Sequence, residues 1–184
     1  MNNYKYKTGI LLFLLLQGAV LFLMGQPAIC ECGYVKIWEG VVLSEGNSQH
    51  LSDWYSWSHV IHGFIFYAAL WFFFPRLTFW QKLLIAMGIE VGWEIAENTP
   101  WVIDAYREQA LAQGYNGDSV INSVFDALFM VLGFSLALVL PIWAVVVTAL
   151  ALEGWVLYSI RDNLTLNILN FIYQFEFIKW WQSG

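Results

Sequence analysis

The chain has 184 residues, of which 59% are hydrophobic and only 12% charged, with a formal charge of −6. A soluble domain carries about 25% charged residues, so this balance excludes an ordinary soluble globule and points to an integral membrane protein. Acids outnumber bases fourteen to eight and no basic stripe exists, which excludes nucleic acid as an expected partner.

The elements read, in chain order, as an all-α, polytopic transmembrane helix bundle. Residues 8–24 follow a polar start with Lys5 and Lys7. No small-x-small cleavage site follows, so the run reads as an uncleaved first span. Residues 25–56 form a long polar connection of the kind that is functional or flexible, suited to lying on the bilayer surface. It holds Cys30 and Cys32, which are open to three readings: two thiols in a turn, a strained disulfide, or half of a metal site completed by His50. Residues 57–74 form the second span, stopped by Pro75, and residues 80–96 the third, with Pro100 closing its extension. A second polar connection, 99–117, precedes the fourth span at 120–140, capped by Asp118 or Ser119. Pro141 permits a tight reversal into the fifth, 142–160. Each run is near the ~20 residues that a bilayer requires. The tail, 164–181, mixes Asn167, Asn170, Gln174 and Lys179 with large apolar residues, which suits an interfacial amphipathic helix better than a sixth span. The whole chain, 1–184, reads as a single integral membrane domain. Eleven tryptophans and nine tyrosines suit interfacial belts, and Trp93, Trp101, Trp155 and Trp180 read as such anchors.

Basic residues in short flanks set orientation. With the amino terminus cytoplasmic, Lys5, Lys7, Arg76 and Lys82 are inside, and Lys36, Arg107, Arg161 and Lys179 are outside. The counts are equal, so the short inner turns and the two leading lysines decide in favour of an inner (plasma) membrane protein with its amino terminus in the cytoplasm.

This topology brings ionisable residues to the outer helix ends. Residues three and four apart share a helix face, so His59 and His62 form one stripe, Glu90, Glu94 and Glu97 a second, and Asp118, Asn122 and Asp126 a third. At 1.5 Å per residue, His59, Glu97, Asp118 and Arg161 are expected near the surface. His62, Glu94 and Asn122 fall about one turn deeper, and Glu90, Asp126 and Glu153 about two turns. Carboxylates inside a span are rare and mark functional sites. Two imidazoles with two or three carboxylates suit a divalent metal, zinc or another transition ion; the candidate ligands are His59, His62, Glu90, Glu94, Glu97 and Asp126. The competing accounts are carboxyls that share protons as a relay or general acid/base pair, with Glu94, His62 and Asp126 as the catalytic candidates, and a purely structural polar network between helices. His50, Asp53, Asn98, Asp118, Asn122, Arg161 and Asp162 are candidates for substrate contact or for that network. Gly63, Gly88 and Gly92 are expected at helix contacts, with Gly88-x-x-x-Gly92 as a packing seam.

Several stretches carry a resemblance. Ile29-Cys30-x-Cys32-Gly33-Tyr34-Val35-Lys36-x-Trp38, Asn47-Ser48-Gln49-His50-Leu51-x-Asp53-Trp54-Tyr55 and Ser58-His59-x-Ile61-His62-Gly63-Phe64 resemble an uncharacterised family of small bacterial inner-membrane proteins, a domain of unknown function. So do Trp93-Glu94-x-x-Glu97-Asn98, Gly117-Asp118-Ser119-x-x-Asn122-Ser123 and Arg161-Asp162-Asn163-Leu164-Thr165-Leu166-Asn167. The resemblance implies location and topology but no activity. A looser outline, His at one helix start, Glu-x-x-x-Glu on the next helix and Asp and Asn on another, resembles the VanZ-like membrane proteins and suggests an envelope role by analogy.

The expectation is therefore an inner-membrane protein with a metal-binding polar site near the periplasmic face. If it is an enzyme, the reaction is hydrolysis or transfer on a lipid or envelope substrate, with Arg161 clamping an anionic head group. No nucleophile motif accompanies this reading. The alternatives are a non-catalytic accessory subunit that binds other membrane proteins, and a proton or ion permease; the permease would require acids on the inner halves of the spans.

Overall fold

The computed structural model describes residues 3–184. Its elements are helices throughout, and no strand occurs among the described residues. The five long helices are α1 (Tyr4–Leu23), α2 (Ser56–Phe73), α3 (Phe79–Glu97), α5 (Val120–Val139) and α6 (Ile142–Ile160). The shorter ones are α4 (Pro100–Arg107), α7 (Leu164–Ile172) and α8 (Glu176–Ser183). By length and composition α1, α5 and α6 are apolar enough to cross a membrane. The 18-residue α2 and 19-residue α3 match them in length but carry the histidines and glutamates.

Local chemistry accounts for most boundaries. Thr78 and Gln81 form a reciprocal capping box at the start of α3. Ser119, rather than Asp118, caps α5 by accepting the Asn122 N–H at 3.2 Å. As expected, Thr99 before Pro100 is extended and α3 stops at Glu97; Pro100 then begins α4 from the first-turn position, where its missing N–H costs nothing. The tail is not one helix. It breaks into α7 and α8, of 9 and 8 residues. At 1.5 Å per residue each is far short of a ~30 Å bilayer core, so neither is long enough to cross one by itself.

The tightest contact in the bundle is the crossing of α2 and α5, made by two glycines. A Cβ on Gly63 would stand 2.2 Å from the Met130 carbonyl oxygen, and one on Gly133 would stand 2.0 Å from that of Val60. The backbones therefore touch, and this contact sets His59 against Asp126. Below the crossing, Leu70, Leu83, Ala86, Met87, Val91, Ala127, Met130 and Phe134 form the buried apolar core. The expected Gly88-x-x-x-Gly92 seam is only half made. Gly88 meets the ring of Phe13 on α1, while Gly92 faces open space.

The outer surfaces of α1 and α6 are apolar. Leu11, Leu12, Leu15 and Leu16 on one, and Trp143, Val146, Val147 and Leu150 on the other, are exposed. A contiguous exposed apolar surface of this kind marks a membrane or protein contact.

Candidate functional site

The connection between α1 and α2 is neither loose nor peripheral. It folds back on the amino-terminal end of α5, where Ser119 N–H donates to the Ser48 carbonyl (2.9 Å) and Val120 N–H to that of Pro27 (2.8 Å). Asn122 Nδ2 donates to the His50 carbonyl at 2.9 Å. Asp53 holds the last turn of this loop by accepting the backbone N–H groups of Ser48 and Tyr55. His50 is buried and its Nδ1 accepts the Lys36 N–H. Cys30 and Cys32 lie close to His50 but are joined to each other as a disulfide, so they stand neither as two thiols nor as a ligand pair.

Beneath this roof the expected convergence is present. Glu90, completely buried on α3, uses both carboxylate oxygens on α2. Oε1 accepts from His59 Nδ1 at 2.6 Å, and Oε2 from His62 Nδ1 at 3.2 Å. An ionised carboxylate only accepts, so with Glu90 ionised each Nδ1 carries a proton, and a ring that is neutral then has its lone pair on Nε2. His59 Nε2 lies 3.9 Å from Asp126 Oδ2 on α5. Asp126 in turn accepts from Ser56 Oγ at 2.7 Å. Glu94 Oε2 accepts from Ser123 Oγ at 2.5 Å, and Ser123 accepts from Gln17 Nε2 at 2.7 Å. Glu94 Oε1 is buried without a hydrogen-bond partner, 3.3 Å from His59 Nδ1. A buried unpaired carboxylate oxygen is rare and calls for a proton or cation.

The depth order differs from expectation by about one turn. His59 lies level with Glu90 and Glu94, not with Glu97. The cause is that α2 begins at Ser56, whose hydroxyl already meets Asp126, two turns inside α5. Glu97 and Asp118 sit beside the centre, where one donor atom each from Glu94, Glu97 and Asp118 lies within 4.8 Å of the others, as do those of His59, His62 and Glu90. Asn98 and Asp118 pair reciprocally: Asn98 Nδ2 donates to Asp118 Oδ2 (2.8 Å), and Asp118 N–H donates to Asn98 Oδ1 (2.7 Å).

Three residues expected at the centre are elsewhere. Arg161 does not line the cavity described below; its guanidinium donates to the Trp181 carbonyl. Asp162 accepts from the Tyr55 hydroxyl at 3.2 Å. Glu153 caps α7, accepting the N–H groups of Leu164 (3.0 Å) and Thr165 (3.1 Å). Conversely, Gln17, Ser56 and Ser123 belong to the network and were not singled out as site residues. Gln17 had a signal, being the one polar side chain among residues 9–24.

A cavity of about 330 Å³ adjoins the centre. His59, His62 and Asp126 are on its wall, with Glu97 and Asp118, whereas Glu90 and Glu94 stand behind the imidazoles. Trp93 lines it too, so that ring is more than an interfacial anchor.

Two carboxyls at the outer rim titrate late. Burial pushes Asp118 up to about 6, against the hydrogen bonds from Asn98 and Tyr115 that pull it down. Burial likewise pushes Asp162 to about 6, against the Asn163 N–H and the Tyr55 hydroxyl. A carboxyl that ionises near 6 when folded and near ~4 when unfolded keeps its proton longer in the fold. The native state therefore binds more protons between those values, and stability falls as pH rises from about 4 to about 6, by up to about 3 kcal/mol per carboxyl. Unfolding of the detergent-solubilised protein should show higher stability at pH 4.5 than at pH 7, with a smaller difference in Asp118→Asn. An undiminished difference in that variant contradicts the assignment.

Comparison with known proteins places these observations. A family model described as "Protein of unknown function (DUF2585)" matches residues 21–184. The chain is similar to a UPF0314 protein of Sphingopyxis alaskensis, 53% identical over 92% of this chain and 90% of the relative. It is also similar to UPF0314 proteins of Rhizobium meliloti (51%, covering 93% and 87%) and Paracoccus denitrificans (47%, covering 94% and 90%). No solved structure matches it at a significant level.

Proposed function

The chain belongs to the DUF2585 family of bacterial proteins, whose description names no activity, and from that starting point we propose that it is a five-span inner-membrane metalloprotein. In this reading α1, α2, α3, α5 and α6 cross the bilayer with the amino terminus in the cytoplasm. The polar centre and its cavity then face the periplasm. The Cys30–Cys32 disulfide supports that orientation, because disulfides persist in oxidising compartments.

One observation carries the metal assignment: a single buried carboxylate, Glu90, takes the Nδ1 protons of both His59 and His62. A carboxylate behind an imidazole is the usual support for a metal-ligating histidine, since it sets the tautomer and raises ligand basicity. The ligands are then Nε2 of His59, Nε2 of His62 and Asp126, with Glu90 as the residue that orients the rings. Glu94, with its unpaired oxygen, is the further carboxylate able to join the set or to hold a proton. This donor set suits zinc or another divalent transition ion. Such an ion would polarise a carbonyl or phosphoryl oxygen and acidify a bound water, so the reaction class is hydrolysis or transfer on a lipid or envelope substrate. Glu94, outside this ligand set and with one carboxylate oxygen unpaired, is the group left to move a proton there.

Glu90→Gln tests this directly. Glutamine removes the charge and replaces one carboxylate oxygen by an NH2 donor, so the separate acceptor oxygen of one imidazole is lost. Metal affinity, measured by competition with a chelator on folded protein, should fall about 10–100-fold. Unchanged affinity would reject Glu90 as the orienting residue. The rival reading, a non-catalytic subunit of a membrane complex with a purely structural polar network, predicts no stoichiometric metal in either protein.

A further inference from the structure

The cavity has two chemically different ends. One carries His59, His62, Glu97, Asp118 and Asp126, and the other is formed by Trp93 and five residues of α7, of which Leu164, Ile168, Phe171 and Ile172 are apolar and Asn167 is polar. Ile168 and Ile172 line the cavity and are also 49% and 77% exposed, so at α7 the cavity reaches the outer surface of the molecule. The two ends of α7 are held differently. Its first turn is fixed by Glu153 and by the Asn163 side chain, which accepts the Leu166 N–H. Its last turn is held by Phe171, set among Trp101 (5.7 Å), Tyr106 (5.8 Å) and Trp93 (6.4 Å), and by Asn170, which donates to Gln182 at 3.4 Å.

We propose that the cavity binds a lipid of the bilayer, entering sideways past Phe171 between α7 and the α3–α4 corner, with its head group against His59, His62 and Asp126 and its chain along Ile168 and Ile172. This deepens the reading above and rests on its placement of the cavity at the outer leaflet. The exposed residues at this opening, Ile168 and Ile172, are apolar and belong to an amphipathic helix, a surface suited to the bilayer interface. About 330 Å³ lies at the small end of ligand pockets, roughly 300–1,000 Å³. It holds a head group and the start of one chain, and the rest of the chain stays in the bilayer.

The lining also selects the head group. Apart from the ion of the reading above, three carboxylates face the cavity and no lysine or arginine does. Ammonium or hydroxyl donors of a head group therefore find acceptors on the wall, whereas its phosphoryl oxygens have only the ion as a partner and a second negative charge meets repulsion. The lipid brings hydrogen-bond donors, hydroxyl or ammonium, and no net negative charge.

The test uses the full chain in nanodiscs doped with phosphatidylethanolamine or phosphatidylglycerol bearing a diazirine on one acyl chain. After photolysis, adducts are mapped by mass spectrometry. The expected result is labelling of Trp93, Leu164 and Phe171, at least threefold stronger with phosphatidylethanolamine, and lost in Ile168→Trp while adducts on outward-facing Leu12 and Leu15 persist. Adducts confined to outward-facing residues overturn the cavity assignment. Equal labelling by the two lipids overturns the head-group assignment, and labelling of Trp93 by a soluble short-chain probe alone overturns the bilayer source. Metal content of the same sample separates the two proposals: cavity adducts without metal sink the metal reading, and metal without cavity adducts sinks this one.

Discussion

Gly133→Leu is expected to abolish the native bundle. Even the first carbon of any side chain would stand 2.0 Å from the Val60 carbonyl oxygen and 2.8 Å from its carbonyl carbon. These are backbone atoms in the middle of α2, so no rotamer change relieves the clash and the helices must separate. Overpacking of a well-filled core costs about 1–3 kcal/mol where side chains can shift, and here only backbone can. Native stabilities of about 5–15 kcal/mol leave little margin for a larger loss. Size-exclusion profile and melting in mild detergent should show aggregated or unfolded protein, whereas Gly92→Leu, at a position facing open space, should behave as wild type. Indistinguishable melting of the Gly133 and Gly92 variants would contradict the α2–α5 contact. Because that same contact sets His59 opposite Asp126, a partly folded Gly133→Ala protein should also have lost metal.

His59→Ala is expected to weaken metal binding by more than 100-fold. His59 is the point where three helices meet, reaching Glu90 and Glu94 on α3 with Nδ1 and Asp126 on α5 with Nε2. If the centre holds a metal as proposed, its removal deletes one ligand outright, a larger loss than the ~10–100-fold typical of supporting residues. It also leaves Glu90 with His62 alone and Glu94 with no imidazole beside its unpaired oxygen, at about 1–3 kcal/mol for a buried group left unsatisfied. His62→Ala separates the two effects. His62 is more exposed, and its ring touches Glu90 but not Glu94 or Asp126, so that variant should lose metal with less loss of stability. Retained metal affinity in both variants would show that the imidazoles are structural.

The meeting of His59, His62, Glu90, Glu94 and Asp126 was legible because spacings of three and four define stripes, and alternating span direction brings those stripes to one side. Depth was not legible. It depends on where each helix begins, and Ser56 starts α2 one residue ahead of the expected span. Nothing local marked Gly133, since a lone glycine does not say which backbone it meets. Gly92 looked like half of a seam and packs on nothing. Arg161 and Glu153 were expected to share a face, but Arg161 takes a left-handed backbone (φ 59°) that ends α6, and the turn sends Glu153 to cap α7. The amphipathic tail was visible as such. Its apolar residues proved to serve two surfaces, since Ile168 and Ile172 are at once outer surface and cavity wall.

Elemental analysis of wild-type protein, purified gently from its own membrane without chelator and verified as folded, tests the account most directly. The account predicts about one zinc or other divalent transition ion per chain, bound by His59, His62 and Asp126. A folded protein carrying no metal, and taking none up when offered zinc, manganese or iron(II), would contradict it and leave Glu90 and its two histidines as a structural clasp.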